Sequence, residues 1–186
     1  MHNQPPVQRD TQLSAQSNDW PRIDGFRFAE TGDVLRGKCR IAGLGRLQDL
    51  LASNAGELDY EFLGTGDEAG RPSIRVRVEG ELQLTCQRCL KALAYALRID
   101  ELLVLAKSEA EIESQPVDPE KPDRVLGGKE MEVGTLLEDE ILLAVPVAPR
   151  HEQCSAEAGP VKKGGAQASP FSELRGLLDR SGRARN

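Results

Sequence analysis

The chain has 186 residues, is 39% hydrophobic but only 4% aromatic, and carries a formal net charge of −6. That length suits one domain with a core of its own. An acidic balance speaks against direct nucleic-acid binding, whose affinity comes from clustered Lys and Arg, and no apolar run approaches the length of a membrane helix.

The charge is unevenly placed. Beyond Cys154 stand Lys162, Lys163, Arg175, Arg180, Arg183 and Arg185 against Glu157, Glu173 and Asp179, so this tail is +3 and residues 1–154 carry −9. An acidic body of this kind fits a protein partner better than a phosphate backbone. Met1 to Trp20 is polar and broken by proline, with nothing resembling a signal peptide, which makes the cytoplasm the expected compartment. Four cysteines without a secretory signal are expected to stay reduced, favouring metal or redox chemistry over disulfides.

Residues 1–20 are rich in Gln, Asn, Ser and Pro and predict a flexible arm, with order beginning near Trp20. Leu35, Gly37, Cys39 and Ile41 alternate with Arg36, Lys38 and Arg40, the period of two that a strand with one buried face requires. Cys39 then belongs to the core. Leu44, Leu47, Leu50 and Leu51 follow at helical spacing, ended by Asn54 or Gly56. Leu58, Tyr60 and Phe62 return to a strand that enters a hairpin at the turn-rich run Gly64 to Gly70.

The clearest periodicity comes next. Ile74, Val76, Val78, Gly80, Leu82, Leu84 and Cys86 occupy every second position, with Arg75, Arg77, Glu79, Glu81, Gln83 and Thr85 between them. Gly80 is the natural place for a bulge or bend in so long a strand. After Cys89 the alternation resumes through Leu93, Tyr95, Leu97 and Ile99, which seats Cys86-Gln87-Arg88-Cys89 at the tip of a hairpin.

Residues 108–124 hold six carboxylates and three prolines without period, and read as a solvated acidic loop. Val133 to Val145 predicts a helix, with Thr135 and Glu138 in capping-box spacing and Leu136, Leu137, Ile141 and Ala144 toward the core. Glu138, Asp139 and Glu140 fan around the axis and cannot converge on one ion, so solvation or a partner-facing surface is expected of them. Pro146 and Pro149 then lead to His151 and Cys154. Phe171, Leu174, Leu177 and Leu178 suggest a short amphipathic helix in the basic tail, too short to be stable undocked.

Cys86 and Cys89 in one clip, His151 and Cys154 in another, have the donor types and two-residue gaps of a tetrahedral zinc site. Three readings of the cysteine turn stay open: a structural metal site, a tight hairpin with two half-buried thiols, and a thiol-exchange pair. The exchange reading is weakened because a thioredoxin-like motif opens a helix after a parallel strand, whereas this one closes a hairpin. No nucleophile elbow, phosphate loop, GxGxxG turn or His-Glu-x-x-His helix is present.

Val78-Glu79-Gly80-Glu81-Leu82-Gln83-Leu84-Thr85-Cys86-Gln87-Arg88-Cys89-Leu90, then Leu137 to Pro146, then Pro149-Arg150-His151 with Cys154, resemble the bacterial YceD family. The similarity spans roughly residues 20 to 180. It implies a non-enzymatic protein required for synthesis, processing or stability of large-subunit ribosomal RNA; the acidic balance makes a ribosomal protein or a large-subunit assembly factor the expected partner. Read together, these features predict one α+β domain over residues 21–154, built on an antiparallel, strongly coiled sheet or partial barrel with a few flanking helices. A basic, partly flexible tail follows at 155–186. A thiol- or zinc-based sensor or oxidoreductase using Cys86 and Cys89 is the alternative function, and RNA contact through the tail is a third.

Overall fold

In a computed structural model of the chain, residues 8–10, 20–114, 118 and 121–154 are described. The rest of the expected arm, part of the acidic stretch and the whole tail, with its Phe171–Leu178 segment, lie outside these residues. The elements in order are β1 (Gln8–Asp10), β2 (Arg22–Ile23), α1 (Gly25–Thr31), β3 (Val34–Arg40), 3-10 turns at Ile41–Gly43 and Gly45–Leu50, and β4 (Leu51–Ser53). Then come β5 (Glu57–Gly66), β6 (Pro72–Thr85), β7 (Ala92–Ala106), α2 (Glu109–Glu113), β8 (Arg124–Leu126), β9 (Met131–Glu132) and α3 (Val133–Ala144).

The long alternating segment is β6, and it organises the domain. Val76, Val78, Leu82 and Leu84 are all fully buried, while Arg77, Glu79 and Glu81 are exposed, so the period of two maps onto two faces as expected. β6 pairs antiparallel with β5 on one edge and with β7 on the other; the strand order is β1-β3-β5-β6-β7-β8, with β4 also on β6 and a separate β2-β9 pair. The α+β class holds. The sheet, however, is open, its order ending at β1 and β8, so the expected curl into a partial barrel is not found.

Gly80 carries no bulge either. Pairing with β7 runs from Ser73↔Val104 to Thr85↔Ala92 without a shift. The glycine serves packing instead: it is the register partner of Leu58, and a Cβ there would stand 2.5 Å from the Leu58 Cδ2. At Gly64 the constraint is harder, since a Cβ would lie 1.9 Å from the Phe28 carbonyl oxygen, where α1 lies directly on β5.

The solvent face of the sheet is a grid of ion pairs. Arg36, Glu61, Arg77 and Asp100 stand in register across β3, β5, β6 and β7, and each neighbouring pair is in contact, with Arg77 2.9 Å from Glu61 and 3.2 Å from Asp100. Arg75 also reaches Asp100, at 2.5 Å. One row along, Lys38 meets Asp59 at 3.0 Å. Opposite charges facing each other across strands hold register, since a one-residue slip would place these charges in the core.

The buried face is covered by α1, α3 and the 3-10 turns, which share one core with Phe62, Ile74 and Leu103. The leucines at helical spacing form 3-10 turns rather than an α-helix. Leu44 and Leu47 are fully buried, whereas Leu51 has already entered β4. Four apolar side chains over eight residues fit a tight turn as well as a helical stripe, and Gly43 and Gly45 favour the turn. Residues 108–124 are not wholly irregular: Ser108 accepts a hydrogen bond from the Glu111 N–H at 3.3 Å and caps α2. Gln8–Asp10 form a strand parallel to β3. No helix among the described residues is long and apolar enough to cross a membrane.

Candidate metal centre

The β6–β7 hairpin closes on a knuckle. Beyond the last rung the Cys86 N–H donates to the Lys91 carbonyl at 2.9 Å, and the Leu90 N–H donates back to the Cys86 carbonyl at 2.9 Å. This folding-back needs a left-handed residue, and Leu90 supplies it with φ 59°, the sole non-glycine residue of positive φ among those described. Its side chain is exposed.

The second clip arrives from α3. That helix starts two residues before the predicted capping-box threonine: Thr135 donates to the Glu132 carboxylate at 3.0 Å, and Glu138 accepts from the Arg46 N–H at 3.3 Å instead of capping. Leu137 and Ile141 are fully buried, and Glu140, expected at the surface, is buried as well. Burial pushes its carboxyl up to about 7, helped by the carboxylates of Glu101, Asp123 and Asp139. At its other end the helix is tied to β7 by the Tyr95 hydroxyl, which donates to the Ala144 carbonyl at 3.0 Å. Pro146 stops it.

Three contacts then lay the segment on the knuckle. The Gln87 N–H donates to the Pro149 carbonyl at 2.8 Å, and the His151 Nε2–H donates to the Ala92 carbonyl at 3.0 Å. The His151 backbone N–H donates to the Cys86 sulfur. In consequence the ligand atoms of Cys86, Cys89, His151 and Cys154, the four residues singled out from the sequence, lie within 4.8 Å of one another. Cys39 lies apart from the cluster, in the core, where burial pushes its thiol up to about 12.

Two separations in the cluster match the edges of a tetrahedral site. Bonds of roughly 2.3 Å to sulfur and 2.0 to 2.1 Å to nitrogen give edges of about 3.8 Å between sulfurs and about 3.5 Å from sulfur to nitrogen. Cys86 and Cys154 are 3.8 Å apart, and Cys89 is 3.5 Å from the His151 Nδ1. With Nε2 committed to the Ala92 carbonyl, Nδ1 is left as the metal-facing nitrogen, its tautomer fixed by that outer hydrogen bond.

The electrostatics are those of a thiolate cradle. Burial raises the Cys86 thiol, but backbone N–H groups of Cys89, Arg88 and His151 aimed at its sulfur outweigh this and bring it down to about 5. Cys154 is raised to about 11 by its hydrogen bond with Cys89 and by burial, and His151 is raised by its contact with the Cys86 sulfur and by the Ala92 carbonyl. A cation would relieve this arrangement by taking the place of the shared protons. Three sulfurs and one imidazole form a soft donor set compatible with zinc.

Sequence reasoning picked out the four candidate donors that the fold brings together but not the residues that seat them. Pro149 and Ala92 act through backbone carbonyls, which no side-chain pattern reveals. Leu90 conceals a left-handed position that glycine would have announced. Arg88, Lys91 and Arg150, three exposed cations in or beside the two clips, were in plain view and were averaged into an acidic total.

No curated protein and no solved structure matches the chain. A family described as "Large ribosomal RNA subunit accumulation protein YceD" matches residues 74–178, more than half of the sequence, including β6, the knuckle, β7, α3 and the second clip. The chain belongs to the YceD family.

Proposed function

We propose that this protein is a cytoplasmic, non-enzymatic ribosome-biogenesis accessory factor, required for synthesis, processing or stability of large-subunit ribosomal RNA and acting through protein partners. The observation that carries this reading is the family membership over residues 74–178. Cys86, Cys89, His151 and Cys154 hold one structural zinc. Four protein donors fill a tetrahedron, leaving no open position of the kind that catalytic zinc keeps for water or substrate. The charge of −9 on residues 1–154 supports a basic partner such as a ribosomal protein or large-subunit assembly factor.

The thiol-exchange alternative draws support from the lowered Cys86 thiol, yet that sulfur is fully buried, and attack on a disulfide requires access. The deciding experiment for the main reading is a deletion strain. Mature large-subunit rRNA should fall relative to small-subunit rRNA and return with the wild-type gene; a ratio that stays unchanged across growth temperatures would refute the role.

A further inference from the structure

The acidic total hides a local reversal. Over the sheet, cations are matched to carboxylates: Arg36, Arg75, Arg77, Arg98 and Lys38 all sit in cross-strand ion pairs. At the knuckle they are not. Arg88, Lys91 and Arg150 are exposed, and none of the three has an ion-pair partner among the described residues. Arg27, Lys107 and Lys129 are also without such a partner, but they belong to other segments of the chain.

The three knuckle cations are brought together by the contacts that build the metal centre. Arg88 and Lys91 share one six-residue turn. Arg150 lies between two residues whose backbone touches that turn, Pro149 through the Gln87 N–H and His151 through the Cys86 sulfur. Over residues 86–91 and 149–154 Glu152 is the lone carboxylate, so the two segments carry +2 on side chains apart from the candidate ligands. With a dication on three thiolates, itself −1, this end of the domain stays positive while the rest is strongly negative.

We propose that Arg88, Lys91 and Arg150 form a binding surface for the phosphate backbone of RNA, at the metal-knuckle end of the domain. Unpaired guanidinium groups offer a planar fork for phosphate oxygens and a flat face for stacking on unpaired bases, and clustered cations gain by counterion release what isolated ones do not. The negative remainder confines RNA to this end by repelling it elsewhere. The inference rests on the proposed role in rRNA accumulation for its choice of RNA over other polyanions. It departs from the sequence-based expectation, which looked for RNA contact only in the tail.

The test uses the full-length, zinc-loaded protein and two probes: a labelled 20-nucleotide unstructured RNA, and a transcript of large-subunit rRNA. Fluorescence anisotropy across 20 to 200 mM salt should show binding whose log–log slope drops by about 2 in Arg88→Ala/Lys91→Ala/Arg150→Ala, at roughly 0.7 per single-strand phosphate contact, with at least tenfold weaker affinity at low salt. An Arg180→Ala/Arg183→Ala/Arg185→Ala tail variant should stay within twofold of wild type. Metal content and melting temperature, unchanged in both, exclude misfolding. Wild-type affinity in the knuckle variant overturns the proposal, as does a loss confined to the tail variant, or cross-linking in cells that places the three cations on a protein and not on RNA. Loss of RNA binding in vitro alongside a normal rRNA ratio in the deletion strain would uphold this surface and refute the role. The reverse pair of results would do the opposite.

Discussion

The Nδ1 of His151 stands 3.5 Å from the Cys89 sulfur, 62 positions away in the chain, while Nε2 on the same ring is held by the Ala92 carbonyl. One imidazole thus joins the end of the post-helix segment to both sides of a hairpin tip. The hydrogen bond to Ala92 fixes the tautomer and the orientation of the ring, as an outer partner does for a metal-binding imidazole.

Protein purified under reducing conditions should therefore contain about one zinc per chain. Cys154→Ser or His151→Ala, each removing a donor, should lower zinc affinity by more than about a hundredfold. Native alkylation followed by mass spectrometry provides a second readout. The metal-loaded protein should take up no adduct, whereas chelation, which frees the knuckle to open and expose Cys86, Cys89 and Cys154, should permit three; Cys39, in the core with its thiol raised to about 12, reacts only after unfolding. Adducts on Cys86, Cys89 and Cys154 of the native, untreated protein would rule the centre out.

Glu140 makes stability fall as pH rises. Its carboxyl titrates at about 7 when folded against 4.5 when free, so between those values the folded state holds a proton that the unfolded chain has lost. The neutral form's stability is fully present below about pH 4.5 and is lost as pH climbs through 7. Glu140→Gln should accordingly stabilise the protein by on the order of 2 to 3 kcal/mol at pH 8 and by almost nothing at pH 4.5. Urea melts at four pH values decide it; a gain that does not vary with pH would mean the carboxyl titrates alike in the folded and unfolded chain.

Leu82 and Glu81 sit on opposite faces of β6, one fully buried and the other exposed, accepting a hydrogen bond from the Gln83 amide at 2.8 Å. Leu82→Ala should cost about 2 to 5 kcal/mol through lost transfer energy and the cavity left behind. Glu81→Ala should stay within about 0.5 kcal/mol. Equal shifts in their urea midpoints would contradict the assignment of faces.

Leu90 occupies a left-handed conformation that costs a β-carbon roughly 1 kcal/mol. Leu90→Gly should raise stability by about 0.5 to 1 kcal/mol, whereas Leu90→Ala, which keeps the β-carbon, should not. Thermal melts of the zinc-loaded variants that place the two together would show the turn to be unstrained.

What the sequence revealed follows from the range of each interaction. The faces of β6 were legible because a period of two needs only local information, and the four clustered candidate donors because few residue types suit a soft ion. The burial of Glu140 was not legible, since it depends on how α3 packs against distant elements, and its raised carboxyl depends further on the charges of Glu101 and Asp123. Nor was the parallel pairing of Gln8–Asp10 with β3, which a polar tripeptide does not advertise. The 3-10 turns around Leu44 and Leu47 show the limit of apolar spacing: it identified both buried side chains and misjudged the backbone that carries them.

The two clips of the centre are 68 positions apart from Cys86 to Cys154, and every strand, turn and helix between them lies inside the loop they close. An ion seated there is a reversible cross-link. By the loop-closure relation used for disulfides, a tie of that span removes about 4 kcal/mol of freedom from the unfolded chain. Unlike a disulfide it is set by the concentration of free metal, so the lifetime of the folded domain in a cell would rise and fall with zinc supply.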